Sequence, residues 1–157
     1  MNKDEAFINF IKTCELFNNE KLFFNFGIVE QGARQFITQS DDALIDKECI
    51  DGSKRKRYTM YLDTFKSTSY IPIVDDKLTV DENFEEFNEV QEILDWINDQ
   101  DSIRNYPDFG TDIVIDKMQT TTNKPELVTV NRTLEPAVAI YRISVRIDYV
   151  DLSNTIC

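Results

Sequence analysis

The sequence contains no histidine, so it lacks the commonest general base near neutral pH. Ser-His and Cys-His nucleophile pairs are excluded for the same reason. Carboxylates are plentiful, but the acidic pairs at 41–42, 75–76 and 85–86 are neighbours in the chain. Neighbouring side chains do not converge on one face of a helix or a strand, so these pairs are poor acid-base candidates. We therefore predict that the protein is not an enzyme.

Glycine and cysteine are also scarce, with four and three copies. With only Gly27, Gly32, Gly52 and Gly110, neither a phosphate-binding loop nor a dinucleotide fingerprint can be assembled. The three cysteines, Cys14, Cys49 and Cys157, include no CxxC pair, and without histidine they do not make a zinc site. We expect buried or incidental thiols in a reducing compartment, and neither a cofactor nor a metal ion.

Long apolar runs are absent as well, since no window approaches the roughly 18 residues that a membrane-spanning helix requires. The first twelve residues include acidic side chains where a secretory signal needs a basic region and then a long apolar stretch. These features predict a soluble intracellular protein that does not associate with a membrane. With 157 residues, of which 41% are hydrophobic, the chain is expected to form a single domain over residues 1–157 with a sizeable core.

Acidic residues outnumber basic ones by 29 to 17, which gives a formal net charge of -12. A surface of this sign repels nucleic-acid phosphates and disfavours specific DNA binding. The exception is a run of four consecutive cations at 54–57. Such a run is typical of a nuclear address, a phosphate contact or the solvated end of a hairpin, and the sequence leaves these alternatives open.

Two segments have helical periodicity. In residues 7–17, apolar side chains recur at steps of three and four, and Asn2 with Glu5 forms a capping pair before them. The second segment, residues 84–99, has apolar side chains on one side and carboxylates on the other, with Asn83 predicted as its cap. Its solvated side is therefore expected to be acidic.

Shorter segments alternate apolar and polar residues with the period of two that is typical of strands. The last of them, residues 141–149, is the most regular, which indicates an antiparallel sheet covered on one side only. In residues 54–65, Tyr58, Met60 and Leu62 share one face with Thr64. We predict strands at 35–39, 44–50, 54–65, 112–122 and 141–149, with a tight turn at 51–52 and a loop over 67–82.

These elements follow one another in the order helix, three strands, helix, two strands. The order predicts an α+β domain of two layers, in which a mostly antiparallel sheet carries two main helices on one face. We find no internal repeat, no low-complexity tract and no linker that would divide the chain.

Four short motifs add a resemblance to a known family. They are Cys49-Ile50-Asp51-Gly52-Ser53-Lys54, Leu94-Asp95-Trp96-Ile97-Asn98-Asp99, Asn105-Tyr106-Pro107 and the strand at 141–149. In this order they resemble the tail terminator proteins of long-tailed bacteriophages, many of which are labelled minor capsid proteins. The resemblance covers residues 46–151. The departures are Cys49, where an aromatic residue is common, and a longer acidic middle loop.

The resemblance implies a virion protein, present in the host cytoplasm during assembly, that forms a ring, usually of six subunits. Such a ring caps the head-proximal end of the tail tube, stops tube elongation and docks the neck. In contractile particles it also anchors the last ring of the tail sheath. The implied partners are other copies of the chain, the tail tube protein, the neck or head-completion protein, and genomic DNA that passes through the lumen without specific binding. No cofactor is implied.

A ring requires two complementary surfaces on each subunit. Basic side chains in an acidic chain are candidates for these surfaces or for the neck contact, because they are able to pair with a neighbour's carboxylates. Acidic residues lining the lumen would repel the DNA backbone. For the candidate basic residues, the alternative is an ordinary solvated turn or sheet face. The candidates are Lys54, Arg55, Lys56, Arg57, Arg142 and Arg146.

Two other functions remain open from the sequence. One is a different head-tail connector or neck adaptor. The other is an acidic inhibitor that imitates DNA and occupies a nucleic-acid-binding protein, with the helix at 84–99 as the imitating surface. The four consecutive cations at 54–57 argue against such an inhibitor, because they would not help it to imitate a phosphate backbone.

Overall fold

The computed structural model describes residues 2–17, 21–25, 32–38, 42–44, 52–67, 82–133 and 137–153. Within these ranges the chain forms two α-helices, a short 3-10 helix and a seven-stranded mixed sheet, and the fold is α+β as the sequence predicts. The elements are α1 (Lys3–Ile11), the 3-10 helix (Glu15–Phe17), β1 (Lys21–Phe24), β2 (Ala33–Thr38), β3 (Ala43–Leu44), β4 (Lys54–Ser67), α2 (Glu82–Ser102), β5 (Ile113–Thr120), β6 (Glu126–Asn131) and β7 (Val138–Asp151).

The start of α1 agrees with the sequence, and the start of α2 does not. Asn2 Oδ1 accepts a hydrogen bond from the Glu5 backbone N–H at 2.8 Å, which confirms the predicted cap. In contrast, α2 already begins at Glu82, so Asn83 lies inside the helix and the predicted cap there is wrong. Extending a helix by one residue costs little once the rest of it is formed, and a favourable cap residue does not by itself stop that extension.

The sheet is organised around the long antiparallel pair β4 and β7. Fourteen residues of each strand are in register, from Lys54 opposite Asp151 to Ser67 opposite Val138. The strand order is β1-β2-β4-β7-β5, with β3 also on β4 and β6 also on β7. Among the described strands, only the β1–β2 pair is parallel. The prediction of a mostly antiparallel sheet is therefore confirmed.

Two strands, β1 and β6, were not predicted, so the predicted order of elements is incomplete. Strand β1 is only four residues long, and its sequence KLFF does not alternate between polar and apolar. Strand β6 follows the Asn123-Lys124-Pro125 break and is mostly exposed, so it has no buried face to give it a periodic pattern. Strand β3 covers only two residues of the described chain. Most of the strand predicted at 44–50 and of the loop predicted at 67–82 lies outside the described residues, which exclude 45–51 and 68–81.

Both helices pack on the same face of the sheet. From α1, the ring of Phe7 contacts Phe36 of β2 edge-on at 6.4 Å and Tyr58 of β4 at 5.9 Å. From α2, Phe87 meets Tyr141 of β7 at 5.9 Å. The core between the layers includes the alternate apolar residues of β4 and β7 that the sequence assigns to one face. The helices also touch each other, through Phe10 and Trp96 at 5.5 Å.

Candidate functional site

The sheet face that points away from the two helices is the candidate functional site, and we call it the open face. Its centre consists of alternate residues of β4 and β7, since an antiparallel register places opposed residues on the same side. The opposed pairs are Arg57 with Asp148, Thr59 with Arg146, Tyr61 with Ser144, and Asp63 with Arg142. At one end of this polar centre, the apolar side chains of Phe65, Ala33 and Val138 form a small cluster.

Asp63 is the centre of the first polar group on the open face. Its side chain is only 1% exposed, and both of its oxygens accept hydrogen bonds from Arg142, at 2.8 Å from Nε and 3.1 Å from Nη2. Gln35 of β2 donates a further hydrogen bond to Asp63 at 3.0 Å. The Arg142 guanidinium also lies over the ring of Tyr61 at 4.5 Å. These contacts fix Arg142 in place and neutralise a buried carboxylate.

Asp148 is the centre of the second group. Arg57 donates two hydrogen bonds to it, at 2.8 Å from Nε and 3.3 Å from Nη2, and Lys117 of β5 lies 3.5 Å away. Burial alone would raise the pKa of Asp148, but the hydrogen bonds and charges of Arg57 and Lys117 outweigh it and hold the pKa below its ordinary value. Asp148 therefore stays ionised and forms ion pairs with Arg57 and Lys117.

Arg146 lies in the row beside this group, between Thr59 and Gln119. Its Nε atom is buried and has no hydrogen-bond partner among the described residues. Arg146 is thus the third cation near Asp148, after Arg57 and Lys117. In a chain whose formal net charge is -12, this part of the open face has more cations than carboxylates.

The basic run at 54–57 begins β4, and strand alternation divides it between the two faces. Arg55 and Arg57 point to the open face. There the exposed side chains of Arg55 and Asp116 form an ion pair, with 3.5 Å between Nη2 and Oδ2. Lys54 and Lys56 point to the side of the helices, since they share their parity with the buried Tyr58. The four cations therefore do not form one continuous patch.

The structure brings together two of the basic residues singled out from the sequence, Arg57 and Arg146, and places Arg142 at a separate carboxylate. It adds Lys117, which sequence reasoning missed. Simple alternation from Ile113 and Ile115 would put Lys117 on the buried face, but a bulge at Asp116 shifts the register and turns Lys117 to the open face. No sequence signal marks that bulge.

The side of the helices has two shallow grooves along α1. One, of about 520 Å³, lies between α1 and the loop that contains Tyr106, Pro107 and Phe109. The other, of about 450 Å³, lies on the opposite side of α1, next to Phe24. The second groove is lined by the ionisable side chains Asp4, Glu5 and Lys12. The described residues contain no group of three or more Cys, Asp or Glu side chains placed to hold a metal ion.

Other predictions from the sequence can be placed. Cys14 is buried, and this burial raises the pKa of its thiol, as expected for an inert structural cysteine. Cys49 and Cys157 lie outside the described residues. Neither described helix is long and apolar enough to cross a membrane.

The sequence matches no family model and no curated protein.

Proposed function

We propose that the protein is a structural component of a bacteriophage tail, where about six copies form a ring that caps the head-proximal end of the tail tube. The ring stops tube elongation and presents a docking surface to the neck. The proposal starts from the resemblance in the sequence motifs. The structural observation that carries it is the difference between the two broad outer surfaces of the subunit.

These two surfaces differ in both structure and charge. One is the outer side of α2, a helix of 21 residues with eight carboxylates and no lysine or arginine. The other is the open face, where Arg57 and Lys117 pair with Asp148 and Arg146 lies in the adjacent row. When unlike surfaces on one subunit are complementary, copies associate head to tail, and the assembly closes into a ring when the rotation per copy divides a full turn. This is the association that the proposed function requires.

A ring that caps a tube also needs a surface along its axis, and β6 is suited to that contact. Its residues Leu127 and Val128 are 53% and 41% exposed, and its outer edge pairs with no other strand of the described chain. An exposed apolar strand edge is a template for pairing with a strand from another protein. We assign this edge to the contact with the tail tube or the neck.

The function is tested by electron microscopy of particles assembled without the protein. We expect tails of abnormal and variable length that do not join to heads, because nothing stops the tube or docks the neck. Tails of normal length that still join heads would contradict the proposal.

The axial contact is tested by Val128→Asp, which puts a charge on the exposed edge of β6. We expect this variant to form the ring but to lose tail capping, since a buried carboxylate without a partner opposes strand pairing. The matched control is Ile103→Asp, at a residue 70% exposed in the loop after α2, and it should cap tails normally.

A second candidate function, an inhibitor that imitates DNA, is favoured by one observation, the row of carboxylates on α2. Such an inhibitor would compete with DNA for a nucleic-acid-binding protein of the host. Competition binding at moderate salt tests this directly, and its absence removes the candidate. The cations of the open face are not needed for this function.

A further inference from the structure

We propose that the open face of one copy receives the outer side of α2 from the next copy, with Arg146 as the central contact. This inference rests on the proposed ring and names the interface that closes it. The occupant is a second copy of this chain, which is favoured by charge, by an unsatisfied buried atom and by shape.

The open face has a local excess of cations. Asp148 is shared by Arg57 at 2.8 Å and Lys117 at 3.5 Å, and Arg146 lies in the adjacent row. One carboxylate thus stands near three cations, in a chain where acidic residues predominate. A partner that brings carboxylates to this position would balance the excess and would reach its place faster through electrostatic attraction.

Arg146 has a buried nitrogen atom whose hydrogen-bonding capacity is not satisfied among the described residues. Its Nε atom is buried but donates no hydrogen bond within the described part of the chain. A buried donor without an acceptor costs free energy, so its presence calls for an explanation. A carboxylate is the acceptor that fits a guanidinium best, because the two groups form parallel hydrogen bonds.

The outer side of α2 carries an acidic stripe, which we define as Glu85, Glu92, Asp95 and Asp99. All four side chains are exposed and lie on the side of the helix opposite to the buried Val90, Leu94 and Ile97. Glu85, Glu92 and Asp99 follow one another at intervals of seven residues, which is about 10.5 Å along a helix. Glu86 and Glu89 are not part of the stripe, because both pair with Lys66.

The carboxylates of the stripe repel one another, and no basic residue on α2 offsets them. Binding to a cationic surface relieves this repulsion. The same contact therefore stabilises both partners, one by balancing its cations and the other by balancing its carboxylates.

The shape of the open face also suits a helix. Strands of 14 residues span about 46 Å, and a helix of 21 residues spans about 31 Å, so α2 fits within the length of the face. The centre carries the short side chains Thr59 and Ser144, each opposite a longer one, Arg146 and Tyr61. On the open face, the side chains of Arg57 and Lys117 are 34% and 47% exposed, so a neighbour can reach this end of the face.

The test is a charge exchange measured by native mass spectrometry and sedimentation of the full chain. Arg146→Glu and Glu92→Arg should each weaken association by at least about tenfold, and the double variant should restore it to within about threefold of the original. Arg104→Glu, a matched charge reversal in the exposed loop after α2, should associate normally. Far-ultraviolet circular dichroism checks that each variant is folded.

A second measurement does not depend on tight association in solution. A carbodiimide joins amines to carboxylates that are in contact, so it should link Lys117 of one copy to the acidic stripe of another. Mixing isotopically labelled and unlabelled copies distinguishes links between copies from links within one copy. The measurement is made on concentrated protein and on intact particles.

The outcomes separate this inference from the proposed function. If Arg146→Glu forms the same ring as the original protein, and Lys117 links only to carboxylates of its own copy, the interface is wrong although the ring stands. If no ring is found either in solution or on tails, the proposed function fails. Loss of the ring in both single variants with recovery in the double variant supports the interface.

Discussion

Asp63 and Arg142 lie 79 positions apart in the sequence and form a bidentate ion pair across β4 and β7, with the two hydrogen bonds at 2.8 and 3.1 Å. The carboxylate is almost completely buried, while the guanidinium remains a quarter exposed. This pair links β4 to β7 at one end of the polar centre of the open face. It also makes Arg142 more important for folding than for contact with a neighbour.

Replacement of Arg142 by methionine should therefore destabilise the protein. Without the guanidinium, Asp63 is a buried charge with only Gln35 as a donor, and such losses cost about 3 kcal/mol. Chemical denaturation measures the change in the free energy of unfolding. Arg104→Met, at an exposed arginine, should change it by less than about 0.5 kcal/mol. Equal effects of the two substitutions would contradict the assigned role of the pair.

Asp148 predicts a dependence of stability on acid pH. Because its folded pKa is lowered, the stability that it contributes is complete above an unfolded pKa of about 4 and is lost as the pH falls through the folded pKa. Asp148→Asn should thus lower the free energy of unfolding at pH 7, and the difference from the original protein should shrink below about pH 4. Denaturation curves between pH 2 and 7 measure it. A difference that is constant over this range would refute the prediction.

Tyr106 predicts a dependence at alkaline pH. Its burial and its hydrogen bond to Asp101 raise the pKa of its hydroxyl to about 12. The stability gained from the protonated hydroxyl is complete below an unfolded pKa of about 10 and is lost as the pH rises through the folded value.

At pH 8, Tyr106→Phe should therefore lower the free energy of unfolding by about 1 kcal/mol, because the variant lacks the hydrogen bond from the Tyr106 hydroxyl to Asp101. This cost should disappear between pH 10 and about pH 12. The raised pKa values of Tyr58 and Tyr149 are common to both proteins and cancel in the comparison. If Tyr106→Phe lowers the free energy of unfolding by the same amount at the highest pH measured, the raised pKa of Tyr106 is not the cause.

Local periodicity predicted much of the fold, but the helix predicted over residues 7–17 is wrong at its end, because α1 ends at Ile11 and residues 15–17 form a 3-10 helix. Alternation in β4 and β7 identified their buried faces, and Asn2 identified the start of α1. In α2 the apolar side was predicted, and its residues Val90, Leu94 and Ile97 are buried. Short or exposed strands such as β1 and β6 have no comparable pattern and were missed.

The candidate site could be predicted only in part, because it depends on which strands are neighbours. The sequence singled out Arg57, Arg142 and Arg146 as unusual cations, but it could not show that Asp148 and Asp63 would pair with two of them. Those pairings follow from the register of β4 against β7, which joins residues 79 to 91 positions apart. Lys117 depends further on one bulge in β5.

The most direct test of the central claim is the number and arrangement of copies in the assembled particle, determined by electron microscopy with image averaging. We predict a closed ring of about six copies where the tail tube meets the neck, each copy in contact with two others. A single copy at that position, or copies scattered along the tail without mutual contact, would contradict the account.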